Sequence, residues 1–143
     1  MPEARLIILD VLTYAGSIDN LPEDCLIEEN ENVLFRYGNV LNPDLVDVLM
    51  SDATYVVHFA AETHVTRSIY DNRQFFETDV LGTQVIANAV LRHRKSIKRF
   101  IHISTSEVYG TAIGAAMNED HPLNPMSPYA SAKCGADRLV YSY

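Results

Sequence analysis

The run RLIILD, Arg5 to Asp10, reads as a buried strand that ends on a carboxylate and opens into the loop VLTYAG. In nucleotide-binding sheets a strand closing on Asp is normally the second of its unit, and the acidic residue follows a Gly-rich turn by ~20 residues. Counting back from Asp10 puts that turn ahead of Met1. No substitute comes later: Gly16, Gly38, Gly82, Gly110, Gly114 and Gly135 stand singly, with no Gly-x-Gly pair among them. The expectation is a sheet of this type without its first strand and phosphate loop.

Outward from that strand, the chain alternates strand and helix. Asn32 to Val40 (NVLFRYGNV) reads as a second strand. Asn42 followed by Pro43 starts a short helix to about Met50, with Leu45, Val46 and Leu49 as its apolar stripe. Tyr55 to Ala61 (YVVHFAA) is a continuous apolar run, the pattern of a strand covered on both faces. A long helix is expected from Asp71 to His93, with Phe76, Val80, Thr83, Ala87 and Val90 on its packing face. Phe100 to Ser104 (FIHIS) is a further strand, and Gly110 to Pro125 a polar loop. Ser127 and Pro128 cap a last helix running to Tyr143. Such alternation predicts a parallel α/β sheet with functional groups at the carboxyl ends of its strands.

Length and composition bound the rest. A chain of 143 residues is one domain's worth, nearly half of it apolar. The formal charge of −8 argues against a polyanionic partner such as nucleic acid. The basic cluster RHRKSIKR, Arg92 to Arg99, reads as a solvated helix end, where cations are favoured. Cys25 and Cys134 suggest neither a disulfide framework nor a metal site, so a reducing cytoplasm is the expected compartment. No run approaches the ~20 apolar residues that cross a bilayer, and the N-terminus does not read as a signal peptide.

Two stretches look chemical. STSEVYG, Ser104 to Gly110, puts Thr105, Ser106 and Glu107 at the carboxyl end of a strand. SPYASAK, Ser127 to Lys133, sets Tyr129 and Lys133 one helical turn apart on one face, where an ammonium favours a phenolate. Each has a plainer reading when taken singly. Thr-x-Glu after a strand is also an ordinary helix start, Tyr-x-x-x-Lys arises by accident, and Asp10 serves equally as a ribose ligand or a turn residue.

The ordered combination of LDVLTYAG, AAETHVTRSI, FFETDVLGT, HISTSEVYG and SPYASAKCGADRLV resembles the extended short-chain dehydrogenase/reductase family. Within it the nucleotide-sugar 4,6-dehydratases are most similar, those acting on dTDP-glucose above all. The resemblance spans essentially the whole chain but less than half of a complete member. It implies that residues 1–143 are a partial NAD-binding domain of Rossmann-like, doubly wound parallel topology. It also implies NAD as cofactor, a nucleotide-sugar substrate and a possible homodimer, with no metal.

Carried over by motif, the resemblance implies that Asp10 binds the adenine ribose and that Asn39 and Val40 flank the adenine. The run Phe59, Ala60, Ala61, Glu62 and Thr63, with Thr78, would line the path of the ribose and nicotinamide. Tyr129 would deprotonate the sugar 4-hydroxyl, and Thr105 would bond the same oxygen. Lys133 would assist Tyr129 and hold the nicotinamide ribose. Glu107 would take the proton from carbon 5, so that water leaves from carbon 6.

Three departures qualify the likeness. Ser106 stands where the dTDP-glucose enzymes usually have Asp, and a serine hydroxyl is too weak an acid to protonate a leaving hydroxide well. The Thr-Ser-Glu form also resembles GDP-mannose 4,6-dehydratases and UDP-glucuronate decarboxylases; the latter expel no hydroxide, so a decarboxylase or an epimerase of the same family is the alternative chemistry. Asp79 replaces a usual Asn, exchanging a group that donates and accepts for one that only accepts. The expected loss of both ends makes a non-catalytic remnant the alternative of another class.

Overall fold

A computed structural model describes residues 4–25 and 32–143. Its strands are β1 (Leu6–Asp10), β2 (Val33–Tyr37), β3 (Tyr55–His58) and β4 (Arg99–His102). β1 pairs with β2 and β3 with β4, both parallel, in registers running from Leu6 opposite Val33 and from Tyr55 opposite Arg99. The two pairs do not hydrogen-bond to each other. Leu9 of β1, Val56 of β3 and Phe100 of β4 nevertheless pack on one core of Val40, Val46, Met50, Ile86 and Ala89. The sheet is thus two halves on a common core, with no ladder between β1 and β3.

Helices supply that core from one side. Helix α1 (Pro43–Ser51) starts where expected: the Asn42 side chain accepts from Asp44 N and Leu45 N, and Pro43 occupies the first turn. Its buried residues are Val46 and Met50. The apolar run of β3 is covered on one face only. Val56 and His58 turn inward, while Tyr55, Val57 and Phe59 are 62%, 48% and 71% exposed. Ile101 and Ile103 share this open face, because the helices packed on this pair lie on its other side.

The long helix departs from expectation in a way that matters for the site. A short α2 (Val65–Tyr70) precedes α3 (Arg73–Phe75), a π-helical segment (Phe76–Gly82) and α4 (Thr83–Arg92). Widening the turn by one residue rotates the buried face relative to a uniform helix. Phe75, Asp79, Gly82, Thr83 and Ile86 point inward, and Phe76 is left 42% exposed. An added Cβ at Gly82 would collide with the Val40 side chain, so this wide turn also sits close against the core. The last helix, α5 (Pro128–Tyr141), packs on α2, on the π segment, on α4 and on the 3-10 turn Ser106–Tyr109. Among the described residues no helix is long and apolar enough to cross a membrane.

Candidate functional site

The carboxyl ends of all four strands meet at one rim. A cleft of about 270 Å³ lies there, lined by Asp10 after β1, Gly38, Asn39 and Val40 after β2, and Ala60 to Glu62 after β3. Thr78 of the π segment closes one side. Asp10 is exposed and accepts from Leu12 N at 2.7 Å, which folds the following loop back over the cleft. Asn39 accepts from Leu41 N at 2.9 Å in the same manner. A shallow cleft with a carboxylate at its mouth and a glycine in its wall suits a ribose and a flat base: the carboxylate accepts from vicinal hydroxyls. Of the residues expected along the cofactor, Asp10, Asn39, Val40, Ala60, Ala61 and Thr78 therefore come together. Phe59 lies on the open sheet face, and Thr63 is exposed beyond the cleft wall.

At the end of β4 the second group assembles. Thr105 caps the 3-10 turn Ser106–Tyr109, its hydroxyl accepting from Glu107 N at 3.3 Å. This is the plain helix-start geometry, and the hydroxyl proton is still available to a ligand. Ser106 and Glu107 are exposed on that turn. Lys133 is 4% exposed and reaches the same rim, its Nζ donating to Ile103 O at 2.7 Å. Tyr129, 9% exposed, packs edge-on against Phe75 with ring centroids 6.3 Å apart. Lys133 thus meets the chain just after β4, close to the turn that carries Thr105 and Glu107, and Tyr129 lies one helical turn earlier on α5.

Two further residues hold this group; the sequence reading placed Glu62 only within the run along the cofactor path and did not single out Ser68. Ser68 of α2 is fully buried; its hydroxyl donates to Val65 O at 2.6 Å and accepts from Tyr129 N at 3.1 Å. The opening amides of α5 need partners from outside the helix. Pro128 has none to satisfy, Ser127 takes Ala130 N, and Ser68 takes Tyr129 N. Ser68→Ala leaves a buried donor unpaired and is expected to lower stability by about 1–3 kcal/mol. Urea unfolding would measure it, and a change under a few tenths of a kcal/mol would show that Ser68 does not anchor the helix.

The other is Glu62, 4% exposed, whose backbone N–H donates to Asp79 Oδ1 at 2.7 Å. Asp79 itself is 1% exposed and its Oδ2 has no partner. Burial raises its pKa to about 7, against the lowering effects of the Glu62 amide and Lys133. Burial likewise lowers Lys133, while Asp79 and then Asp137 draw it back up. Below them His58 is pushed down to about 4 by burial, with His102 and Lys133 adding to the shift. The Thr83 hydroxyl donates to Asp79 O, so the 3.0 Å contact with His58 Nε2 makes that nitrogen the donor. A signal for Asp79 was present in the sequence as an acid where an amide is usual. Ser68 carried none, because its role depends on which backbone amide lies opposite.

Parallel strands joined by helices, with a cleft and a Tyr–Lys helix at their carboxyl rim, define a Rossmann-type nucleotide-binding domain with an incomplete sheet. The chain belongs to the GDP-mannose 4,6-dehydratase family, whose model matches residues 3–143. It is 46% identical over 142 residues to a dTDP-glucose 4,6-dehydratase of Streptomyces antibioticus, covering 99% of this chain and 40% of that protein. It is also 46% identical over 138 residues to the low-salt glycan biosynthesis protein Agl12 of Haloferax volcanii, covering 96% and 43%. Among solved structures, a dTDP-glucose 4,6-dehydratase from Streptomyces venezuelae with NAD and TYD bound superposes with a TM-score of 0.90 at 37% identity. That match covers 99% of this chain and 42% of the other. The chain therefore spans about two-fifths of the length of the relatives it matches.

Proposed function

We propose that residues 1–143 form the catalytic middle of an NAD-dependent nucleotide-sugar 4,6-dehydratase, a hydro-lyase, with dTDP-glucose as the favoured substrate class. The observation that carries this reading is the tie between Lys133 Nζ and Ile103 O. It supports a role for the Tyr129–Lys133 helix at the carboxyl end of β4. The likeness to dTDP-glucose 4,6-dehydratases, one of them solved with NAD, supports the choice of cofactor and substrate.

In this reading Asp10 accepts hydrogen bonds from the adenine ribose, Asn39 and Val40 flank the base, and Ala60, Ala61 and Thr78 form the path inward. Phe59 and Thr63 would take part only if the ligand reached past the cleft wall. Bound there, NAD would supply the hydride chemistry that the reaction needs at carbons 4 and 6. Tyr129 takes the 4-hydroxyl proton, with Lys133 stabilising the phenolate and Thr105 donating to the same oxygen. Glu107 removes the carbon-5 proton, and with Ser106 a poor acid, Glu107 also delivers it to the departing oxygen. Ile86 and Ala89 of α4 are packed inside the core, so a homodimer, where one forms, would use another surface.

Calorimetric titration of the chain with NAD is expected to show micromolar binding, weakened at least about tenfold in Asp10→Ala, the loss of one good polar contact. The lack of a ladder between β1 and β3 favours a second reading, a chain that binds no cofactor by itself, and a flat titration would select it. Incubation with dTDP-glucose, GDP-mannose and UDP-glucuronate then sorts the chemistry. A 4-keto-6-deoxy product is expected, and loss of carbon dioxide from UDP-glucuronate alone would select the decarboxylase.

A further inference from the structure

We propose that Thr83 is a positioning residue for the cleft: its hydroxyl, held from β3 by His58, closes the wide turn Phe76–Gly82 and so sets Thr78 and Asp79 against the wall formed by residues 60–62. Its functional meaning rests on the cofactor reading above; its first test does not.

A helical threonine whose hydroxyl bonds the carbonyl four residues back is common. Two features set this one apart. Thr83 is fully buried, and its own backbone N–H donates to Val80 O, so the hydroxyl alone joins Thr83 to Asp79 O, at 2.5 Å. The same hydroxyl oxygen accepts from another element: Nε2 of His58, the last residue of β3, lies 3.0 Å away. A hydroxyl has one proton, and here it goes to Asp79 O, so the imidazole N–H is the donor. The bonds therefore run one way, from β3 through Thr83 to the carbonyl of Asp79.

That carbonyl belongs to the turn facing the cleft. Thr78 lines the cleft, and Asp79 Oδ1 accepts from Glu62 N at 2.7 Å. A Cβ at Gly82 would come within 2.8 Å of Val40 Cγ2, so the turn also lies hard against a cleft residue. Two ties then join the wide turn to the chain around β3. Asp79 holds the loop at Glu62, and Thr83 holds the strand end at His58. Only Phe59, Ala60 and Ala61 lie between those two points. With both ends fixed, Ala60 and Ala61 have little freedom to drift from Thr78 across the cleft. Releasing the Thr83 tie frees one end of this wall and leaves a buried imidazole N–H without its acceptor.

Two substitutions separate the bond from the packing. Thr83→Val keeps the side-chain shape and removes the hydroxyl; Thr83→Ser keeps the hydroxyl and removes the methyl group. Amide hydrogen exchange at Glu62 N is read by NMR against Val46 N of α1, which bonds to Asn42 O in the core helix. Relative to Val46, Glu62 is expected to exchange about tenfold faster in Thr83→Val and within about twofold of the parent in Thr83→Ser, the order set by losing a buried partner. Parent-like exchange in Thr83→Val, equal quickening in Thr83→Ser, or a rise shared by Val46 would each overturn the proposal. Should Thr83→Val not fold, nitrogen NMR of the parent at pH 7 decides. His58 protonated on Nε2 is expected, and a proton on Nδ1 overturns it. NAD titration of the same samples supplies the functional arm, with affinity about tenfold weaker in Thr83→Val alone. Equal affinity in parent and Thr83→Val would overturn a role in the cleft. No binding by the parent would instead remove the cofactor reading, while exchange at Glu62 still decides whether Thr83 holds the wall.

Discussion

Phe75→Ala is expected to unfold at a urea concentration far below the parent's, whereas Phe76→Ala leaves the midpoint almost unchanged. The first ring is 3% exposed, and the second 42%. Truncating a buried Phe costs about 3–5 kcal/mol, through lost transfer energy and the cavity left behind. That is a large share of the ~5–15 kcal/mol that holds a domain together. A surface truncation usually stays within about 0.5 kcal/mol. The pair is diagnostic because a uniform helix through this region puts Phe76 inside. With the wide turn at Phe76–Gly82, Phe75 is buried and Phe76 is left outside. Phe75 also walls one side of Tyr129, so its loss is expected to weaken NAD binding or turnover beyond the stability cost. Measured on folded protein at low denaturant, unchanged function would show that the ring serves packing alone. Equal destabilisation by both variants would show that the helix winds uniformly.

That contrast marks where the sequence was legible. Strand positions, the Asn42 and Ser127 caps and the placement of Lys133 at the carboxyl rim follow from local chemistry, because a cap or an apolar run is decided by neighbours in the chain. Asp10, Asn39, Ala60 and Thr78 reached one cleft because parallel strands bring their carboxyl ends to one side. What failed was phase and coverage. The wide turn is invisible to a periodicity count, since the single Gly in FETDVLG is tolerated inside a helix and marks no change of pitch. YVVHFAA promised cover on two faces, yet an apolar residue records only that burial is favourable, not whether the covering element is present. Ser68 escaped for a third reason: its partner, Tyr129 N, lies 61 residues away, and any serine reads alike until the opposing amide is known.

Asp79→Asn is expected to stabilise the protein by an amount that grows as pH rises from about 4 to about 7. Burial raises the folded-state pKa of Asp79 from 3.8 to about 7. Between those values the native chain binds a proton that the unfolded chain has released, so stability falls as pH increases through the window. About three pH units at 1.36 kcal/mol each give a loss of about 4 kcal/mol, complete above pH 7. The parent hides much of this. His58 is lowered from 6.5 to about 4; the unfolded chain binds the extra proton there, so this group adds stability as pH rises between about 4 and 6.5. The two trends oppose, and the parent should be nearly level over that interval. Subtracting parent from variant cancels His58 and leaves Asp79. Urea midpoints at about pH 4, 6 and 8 would show a difference near zero at the first and largest at the last. A difference that is constant with pH would mean that Asp79 is ionised throughout, and that its unpaired oxygen is no store of unfavourable charge.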